Sequence, residues 1–298
     1  FCKKRVTEYM NALIFGANGQ DGFYLSELLT QQGISVIGIS KNGNFLKTDI
    51  TSYEEVSALV KQHQPSYIFH LAANSTTRHD AMFENHATIS TGALNILEAV
   101  KNYSMATKVF ISGSGLQFVN NNQAIKETDV FEARDPYSVS RIQSVYAARY
   151  FRRLGLKVYV GYFFIFYSPR RTERHMAKKI AEAAKRIANG SEEKLEIGDS
   201  SVIKEWTYAG DVVKGIWTLV QQDIVFEANI GSGKGYSIED YINVCFSLIH
   251  KNWQEHVILK NDFTPEYKQL VSDSSLLFSL GWKPEVSFEQ LTEMMIKS

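Results

Sequence analysis

Gly16, Gly19 and Gly22 lie between an apolar run, Ala12 to Phe15, and a segment whose Leu25, Leu28 and Leu29 fall on one helical face. Glycines at this spacing bind phosphate through the backbone. Gly16 permits a tight exit from a strand, Gly19 lets the backbone approach a pyrophosphate, and Gly22 lets the helix lie close on the strand. The anion then rests on the helix N-terminus, where N–H groups lack intrahelical partners. Asn18, Gln20 and Asp21 fill the turn and belong to the same predicted contact. None of the seven histidines has metal-ligand spacing, so no metal is expected.

Such a turn needs a sheet to hold it. Further apolar, β-branched runs at Ile34–Ile39, Tyr67–Leu71, Lys108–Ser112 and Lys157–Phe164 read as strands. Helical patterns separate them. Ser52 with Glu55 predicts a capping box ahead of Val56, Leu59 and Val60. Leu94, Ile96, Leu97 and Val100 mark another helix, and a long one follows Tyr137. Strands alternating with helices of this length predict an α/β fold with a parallel, doubly wound sheet. The expected division is a dinucleotide-binding domain over 10–165 and a smaller substrate-binding lobe over 166–298, with some segments returning to the first domain. There is no internal repeat.

Composition narrows the functional classes. Lys plus Arg equals Asp plus Glu at 32 each, so no net field draws the chain to nucleic acid or an anionic membrane. Any anion must be held locally. With 44% hydrophobic residues in 298, the chain can bury a large core. Two cysteines, Cys2 and Cys245, make no disulfide framework and suggest a reducing, cytoplasmic setting. No run approaches a membrane span, and Met10 before the first strand makes residues 1–9 read as an upstream extension.

Taken together, the chain resembles the extended short-chain dehydrogenase/reductases with a Rossmann-like fold, within them the nucleotide-sugar epimerases and dehydratases. Gly16-Ala17-Asn18-Gly19-Gln20-Asp21-Gly22, Ser168-Pro169-Arg170-Arg171 and Trp206 to Lys214 look most like GDP-mannose 4,6-dehydratases. The short link from the second strand to Asp49 looks more like the GDP-4-keto-6-deoxymannose reductases. His70-Leu71-Ala72-Ala73 matches the segment beside the cofactor pyrophosphate, Asp49-Ile50 the adenine-contacting pair, and Leu280 to Pro284 a characteristic C-terminal stretch. An NAD site needs a carboxylate at the end of the second strand for the ribose 2′-hydroxyl. Here stand Ser40 and Lys41, which favour NADP(H) and leave NAD as the alternative.

The resemblance implies a catalytic tyrosine, a lysine four residues later, and a hydroxyl at the end of the preceding strand. Tyr137 and Ser114 match the first and last. Arg141 stands where lysine is expected, and Tyr137 and Arg141 would also contact the cofactor. Dehydratases carry an Asp-Glu pair directly after the hydroxyl, whereas this chain has Gly115-Leu116, neither of which can act as acid or base. Ile89 and Ile165 replace two family asparagines. Ser114, Arg170 and Lys204 are the expected substrate contacts, the two cations on the diphosphate. The expected activity is an NADP(H)-dependent oxidoreductase that reduces a 4-keto sugar or epimerises C4 of a GDP-sugar. The alternatives are a GDP-mannose-type 4,6-dehydratase and a catalytically degenerate cofactor-binding protein. A homodimer is expected through the helices carrying Leu94 and Leu97 and Tyr146, Tyr150 and Phe151.

Overall fold

Ala12 to Phe15 are at most 1% exposed, as a continuous apolar strand must be when both sheet faces are covered. The computed structural model describes residues 10–260 and 263–298; the extension at 1–9, with Cys2, lies outside them. Strand β1 (Asn11–Phe15) pairs in parallel with β2 (Ser35–Ile39) and with β3 (Tyr67–His70), placing Phe15 level with both Ile39 and His70. β3 pairs in parallel with β4 (Lys108–Ser114). Helix α1 (Gln20–Gln31) joins β1 to β2, and α2 (Tyr53–His63) precedes β3. The Ser52 side chain caps α2, but Glu55 reaches back to the Asp49 N–H instead of to Ser52, so the cap is one-sided.

Between β3 and β4 a helical run begins with α3 (Met82–Asn85), passes through a π-helical stretch at His86–Thr91, and continues as α4 (Gly92–Tyr103). After β4 comes α5 (Pro136–Arg153), and then β5 (Lys157–Phe163). Pro136 occupies the first turn of α5, where its missing N–H costs nothing. Asp135 and Ser138 cap the helix reciprocally, and Tyr137 is thereby held in the first turn.

The later elements are β6 (Phe166–Tyr167), α6 (Met176–Ala188), β7 (Leu195–Ile197), β8 (Ile203–Glu205), β9 (Thr207–Tyr208) and α7 (Ala209–Val220). They continue with β10 (Glu227–Ile230), β11 (Gly235–Ser237), α8 (Ile238–Leu248), β12 (Val257–Leu259), β13 (Gln269–Leu270), α9 (Ser275–Ser279) and α10 (Phe288–Lys297). The main sheet has the strand order β10-β5-β4-β3-β1-β2, a Rossmann-like arrangement.

The chain divides into two compact units, but not at 165. The first takes residues up to Gly113, Ala133–Val160 and Val220–Phe226; the second takes Ser114–Glu132, Gly161–Leu219 and Glu227–Ser298. The irregular segment 114–132 belongs to the second unit because its hydrogen bonds go there: Ile125 N–H to Val271 O, and Asn120 Nδ2 to Gln269 O. The helix faces also differ from expectation. Tyr146 and Tyr150 are exposed, as is Leu94 on the neighbouring helix, whereas Phe151 is buried in the core and cannot belong to an outward face.

In the second unit α6, α8 and α10 enclose an aromatic cluster, with Trp206 stacked on Tyr241 at 4.2 Å and Tyr236 on Phe288 at 4.1 Å. Below it Glu205, fully buried, accepts from the N–H and hydroxyl of both Ser272 and Ser232 and from the Thr207 hydroxyl. Burial pushes this carboxyl up, and the donors oppose the shift. Replacing Glu205 with Ala leaves the buried Ser272 N–H without an acceptor and the Ser232 N–H with the Thr207 hydroxyl alone. Thermal denaturation followed by circular dichroism should show a loss of about 1–3 kcal/mol or more, the cost of one buried unsatisfied donor.

Candidate active site

The glycine turn forms one wall of a groove of about 410 Å³ in the first unit. Gly16 has φ +93°, and a Cβ there would stand 2.7 Å from the Ala72 N. At Gly22 a Cβ would stand 2.6 Å from the Ala17 Cα, so helix and turn touch only because it is absent. A Cβ on Gly19 meets nothing closer than Gly16 O at 3.3 Å; its missing side chain leaves the groove floor as bare backbone. No side chain caps α1, which suits a bound anion at that end. Leu71, Ala72 and Ala73 complete the wall opposite, so the backbone shape fits a dinucleotide pyrophosphate. Asn18 is exposed in the turn, and Gln20 and Asp21 open α1 behind it.

Ser40, Lys41 and Ile50 line the other end of the groove. Lys41 Nζ lies 3.6 Å from Asp49 Oδ1, with both side chains about half exposed. Asp49 is engaged by Thr51, whose N–H and hydroxyl donate to Oδ1 at 3.0 and 2.9 Å. These bonds, and then Lys41, hold its carboxyl below the usual carboxylate range. Of the expected adenine-contacting pair, Ile50 faces the groove and the Asp49 carboxylate is turned to Thr51 and Lys41. Thr48, Glu84 and Thr88 also line it, and sequence reasoning did not single them out. Glu84 and Thr88 come from the helical run after β3, where neither belongs to a glycine turn or a paired-charge motif.

Tyr137 and Arg141 are brought together on α5: the guanidinium carbon lies 4.9 Å from the ring centroid. Arg141 is only 4% exposed. Its Nη1 donates to the Ser112 carbonyl oxygen and, at 2.7 Å, to the Ser112 hydroxyl. That hydroxyl donates to His70 O at 3.0 Å. His70 donates from Nε2 to Ile89 O at 3.2 Å, inside the π-helical turn. Burial, followed by the Arg141 charge, pushes the His70 imidazole down to about 4, so it is neutral at physiological pH. Ser112 was passed over in the sequence in favour of Ser114; both are serines on one strand, and only the contacts separate them.

Ser114, Arg170 and Lys204 lie in the second unit. The Ser114 hydroxyl accepts from the Leu116 N–H at 3.2 Å, while Gln117 accepts from the Ser114 N–H, so the hydroxyl proton stays available to donate. Gly115 has no room for a side chain, because a Cβ would meet the Phe164 ring at 2.8 Å. Arg170 is exposed in the turn after β6. Lys204 is buried, its Nζ 5.3 Å from the Trp206 ring centroid and 5.9 Å from that of Tyr167. Among the described residues no carboxylate pairs with it, and burial pushes the amine down to about 7. No group of three or more His, Cys, Asp or Glu among the described residues is placed to hold a metal, and no helix among them is long and apolar enough to cross a membrane.

The profile of the family described as GDP-mannose 4,6 dehydratase matches residues 13–295. The chain belongs to the GDP-mannose 4,6-dehydratase family. Within that family's range, GDP-mannose 4,6 dehydratase 1 of Arabidopsis thaliana is 31% identical over 318 residues, spanning 96% of this chain and 88% of its own. The GDP-mannose 4,6-dehydratase of Vibrio cholerae serotype O1 is 26% identical over 345 residues, spanning 96% and 92%. Two solved structures share the fold. RMD from Pseudomonas aeruginosa, complexed with NADPH, has a TM-score of 0.85 at 19% identity over 97% of this chain and 96% of that one. Thermus thermophilus UDP-glucose 4-epimerase, complexed with NAD, has 0.82 at 21% over 97% and 98%. As a member of the GDP-mannose 4,6-dehydratase family, the chain is an enzyme of the NAD(P)-dependent dehydratase and epimerase class.

Replacing Lys41 with Asp removes a cation from the groove edge and sets two carboxylates side by side with Asp49. Fluorescence titration should show NADPH weakened about ten- to a hundredfold relative to NADH, as expected from losing a charge-assisted contact of roughly 1.5–3 kcal/mol. Equal weakening of both would mean that Lys41 does not read the 2′-phosphate.

Proposed function

We propose that this chain is an NADP(H)-dependent oxidoreductase of a nucleotide-activated sugar, a GDP-sugar, that reduces a 4-keto group or epimerises C4 without expelling water. The observation that carries this reading is at Gly115: the family's acid is absent there, and the Phe164 ring fills the space that one would need. The other member of the pair, Leu116, is half-buried and offers no substitute proton donor. When bound, the nicotinamide supplies or takes up hydride at the sugar carbon. Tyr137 gives a proton to the sugar oxygen or removes one, and the Ser114 hydroxyl polarises the carbonyl by donating to it. Arg141 lies over the Tyr137 ring, its guanidinium carbon 4.9 Å from the centroid. Arg170 and Lys204 receive the diphosphate.

A second reading, 4,6-dehydration of GDP-mannose, is favoured by the family match and by the names of the curated relatives. It requires a carboxylate from elsewhere in the chain. The buried free thiol of Cys245 agrees with a reducing, cytoplasmic setting, and the exposed Leu94, Tyr146 and Tyr150 support pairing of two chains on that face.

Mass spectrometry of GDP-sugars and their 4-keto derivatives, incubated with the protein and NADPH, separates these readings. A product heavier by two hydrogens is the expected result, and an unchanged mass with a new retention time marks epimerisation. Loss of one water from GDP-mannose would establish the dehydratase, and no turnover of any sugar the degenerate binder.

Lys204 supplies a pH test. Its charged form is lost as pH rises through about 7, and a bound diphosphate favours that charged form. KM for the sugar nucleotide should therefore climb above pH 7, by up to roughly tenfold per pH unit. Lys204→Arg should flatten this dependence, since a guanidinium keeps its charge there.

A further inference from the structure

We propose that Glu84 is a cofactor-binding residue: its carboxylate accepts a hydrogen bond from the ribose that carries the nicotinamide. The inference rests on the reading of the groove as the NADP(H) site, with the 2′-phosphate end at Ser40 and Lys41. Among the described residues Glu84 brings the groove its single carboxylate. A negative charge beside a pyrophosphate repels it, and no cation among the described residues pairs with Glu84 to cancel the repulsion. Its Oε2 accepts from Asn74 Nδ2 at 2.9 Å, and Asn74 itself lines the groove. Oε1 accepts from none of the described residues and keeps its capacity for a ligand donor. The carboxylate is also held in place. Asn85, fully buried and next in sequence, donates from Nδ2 to Thr76 O at 2.9 Å. The loop after β3 and helix α3 are thus bonded at two successive residues, Glu84 to Asn74 and Asn85 to Thr76.

Strand order decides which part of the dinucleotide arrives there. The sheet runs β2-β1-β3, and the loops that follow these strands carry Ser40 and Lys41, the glycine turn, and Leu71 to Asn74. A dinucleotide laid across them, with its 2′-phosphate at the first and its pyrophosphate at the second, presents its nicotinamide riboside to the third. In NADPH that half carries no charge, and its donors are the ribose hydroxyls and the carboxamide. The ribose comes directly after the pyrophosphate, as Asn74, the partner of Glu84, comes directly after Ala72 and Ala73 on the groove wall. The carboxamide lies a ring further on. An anionic acceptor at this point favours a hydroxyl and rejects a phosphate, so it also opposes the reversed placement of the cofactor, which would bring the 2′-phosphate to it.

The test is isothermal titration calorimetry of the full chain, without sugar, against NADPH, 2′-phospho-ADP-ribose and 2′,5′-ADP. The second ligand keeps both riboses and lacks the nicotinamide; the third lacks the second ribose as well. Glu84→Ala should weaken NADPH and 2′-phospho-ADP-ribose by about tenfold, as the loss of a hydrogen bond to a charged group does, and leave 2′,5′-ADP within about twofold. Removing a negative charge near an anionic ligand acts in the opposite direction when no such bond exists. NADPH bound as tightly as before, or more tightly, therefore overturns the proposal. Equal weakening of all three ligands overturns it too, since that marks a general disturbance of the groove, and weakening of NADPH alone moves the contact to the carboxamide. Should Glu84→Ala fail to fold, Glu84→Gln, isosteric with a weaker and neutral acceptor, should give the same pattern at roughly threefold. A parent chain that binds none of the three refutes the groove as the NADP(H) site and the proposal with it, whereas a parent that binds all three, with no loss in the variants, refutes the role of Glu84 alone.

Discussion

Two backbones approach without side chains between them, Gly16 leaving β1 and Ala72 following β3, and the groove depends on that approach. A single Cβ at position 16 would stand 2.7 Å from the Ala72 amide nitrogen. The contact is possible because the register sets Phe15 level with His70 on one side and with Ile39 on the other. Three parallel strands therefore end at one height, and their following loops open together into a crevice at the carboxyl edge of the sheet, the place where such sheets bind ligands. Ser40 and Lys41, Gly19, and Leu71 to Ala73 reach the same groove from three separate loops for this reason.

What could be read from the sequence was local. The glycine turn, the apolar strands and the Asp135-Pro136 entry into α5 each signal themselves within a few residues, and each is where the spacing puts it. What depended on distant partners could not be read. Segment 114–132 has no period, and only its bonds to 269–273 and Asn229 assign it to the second unit. Phe151 follows Tyr150 by about 100° around the helix, enough to turn it from the exposed face into the core, while composition treats the two alike. Ser112 and Ser114 are two residues apart on one strand, and their different duties, one on Arg141 and one capping the turn at Leu116, come from what lies opposite them.

Among the described residues two buried cations, Arg141 and Lys204, are accommodated by different physical means. Arg141 is held by oxygen acceptors of the sheet and lies over one aromatic ring. Lys204 has aromatic faces and no acceptor among the described residues, so burial acts on it unopposed and brings its titration to about 7. A guanidinium keeps its charge in either setting, whereas an ammonium does not. Of this pair one positive charge is fixed and the other switchable. In the proposed reading the fixed one serves the proton-transferring tyrosine and the switchable one the anionic end of the substrate.

Phe164 has a bearing on how this chain can change over generations. A carboxylate introduced at Gly115 alone runs into the ring, whose atoms lie 2.8–3.0 Å from where the new Cβ would be. Trimming Phe164 first removes a side chain that is 3% exposed and opens a cavity at a cost of about 3–5 kcal/mol. Either order passes through an intermediate worse than the present protein, one overpacked and one hollow. Placing an acid at position 115 without loss of stability would therefore need the two positions to change together.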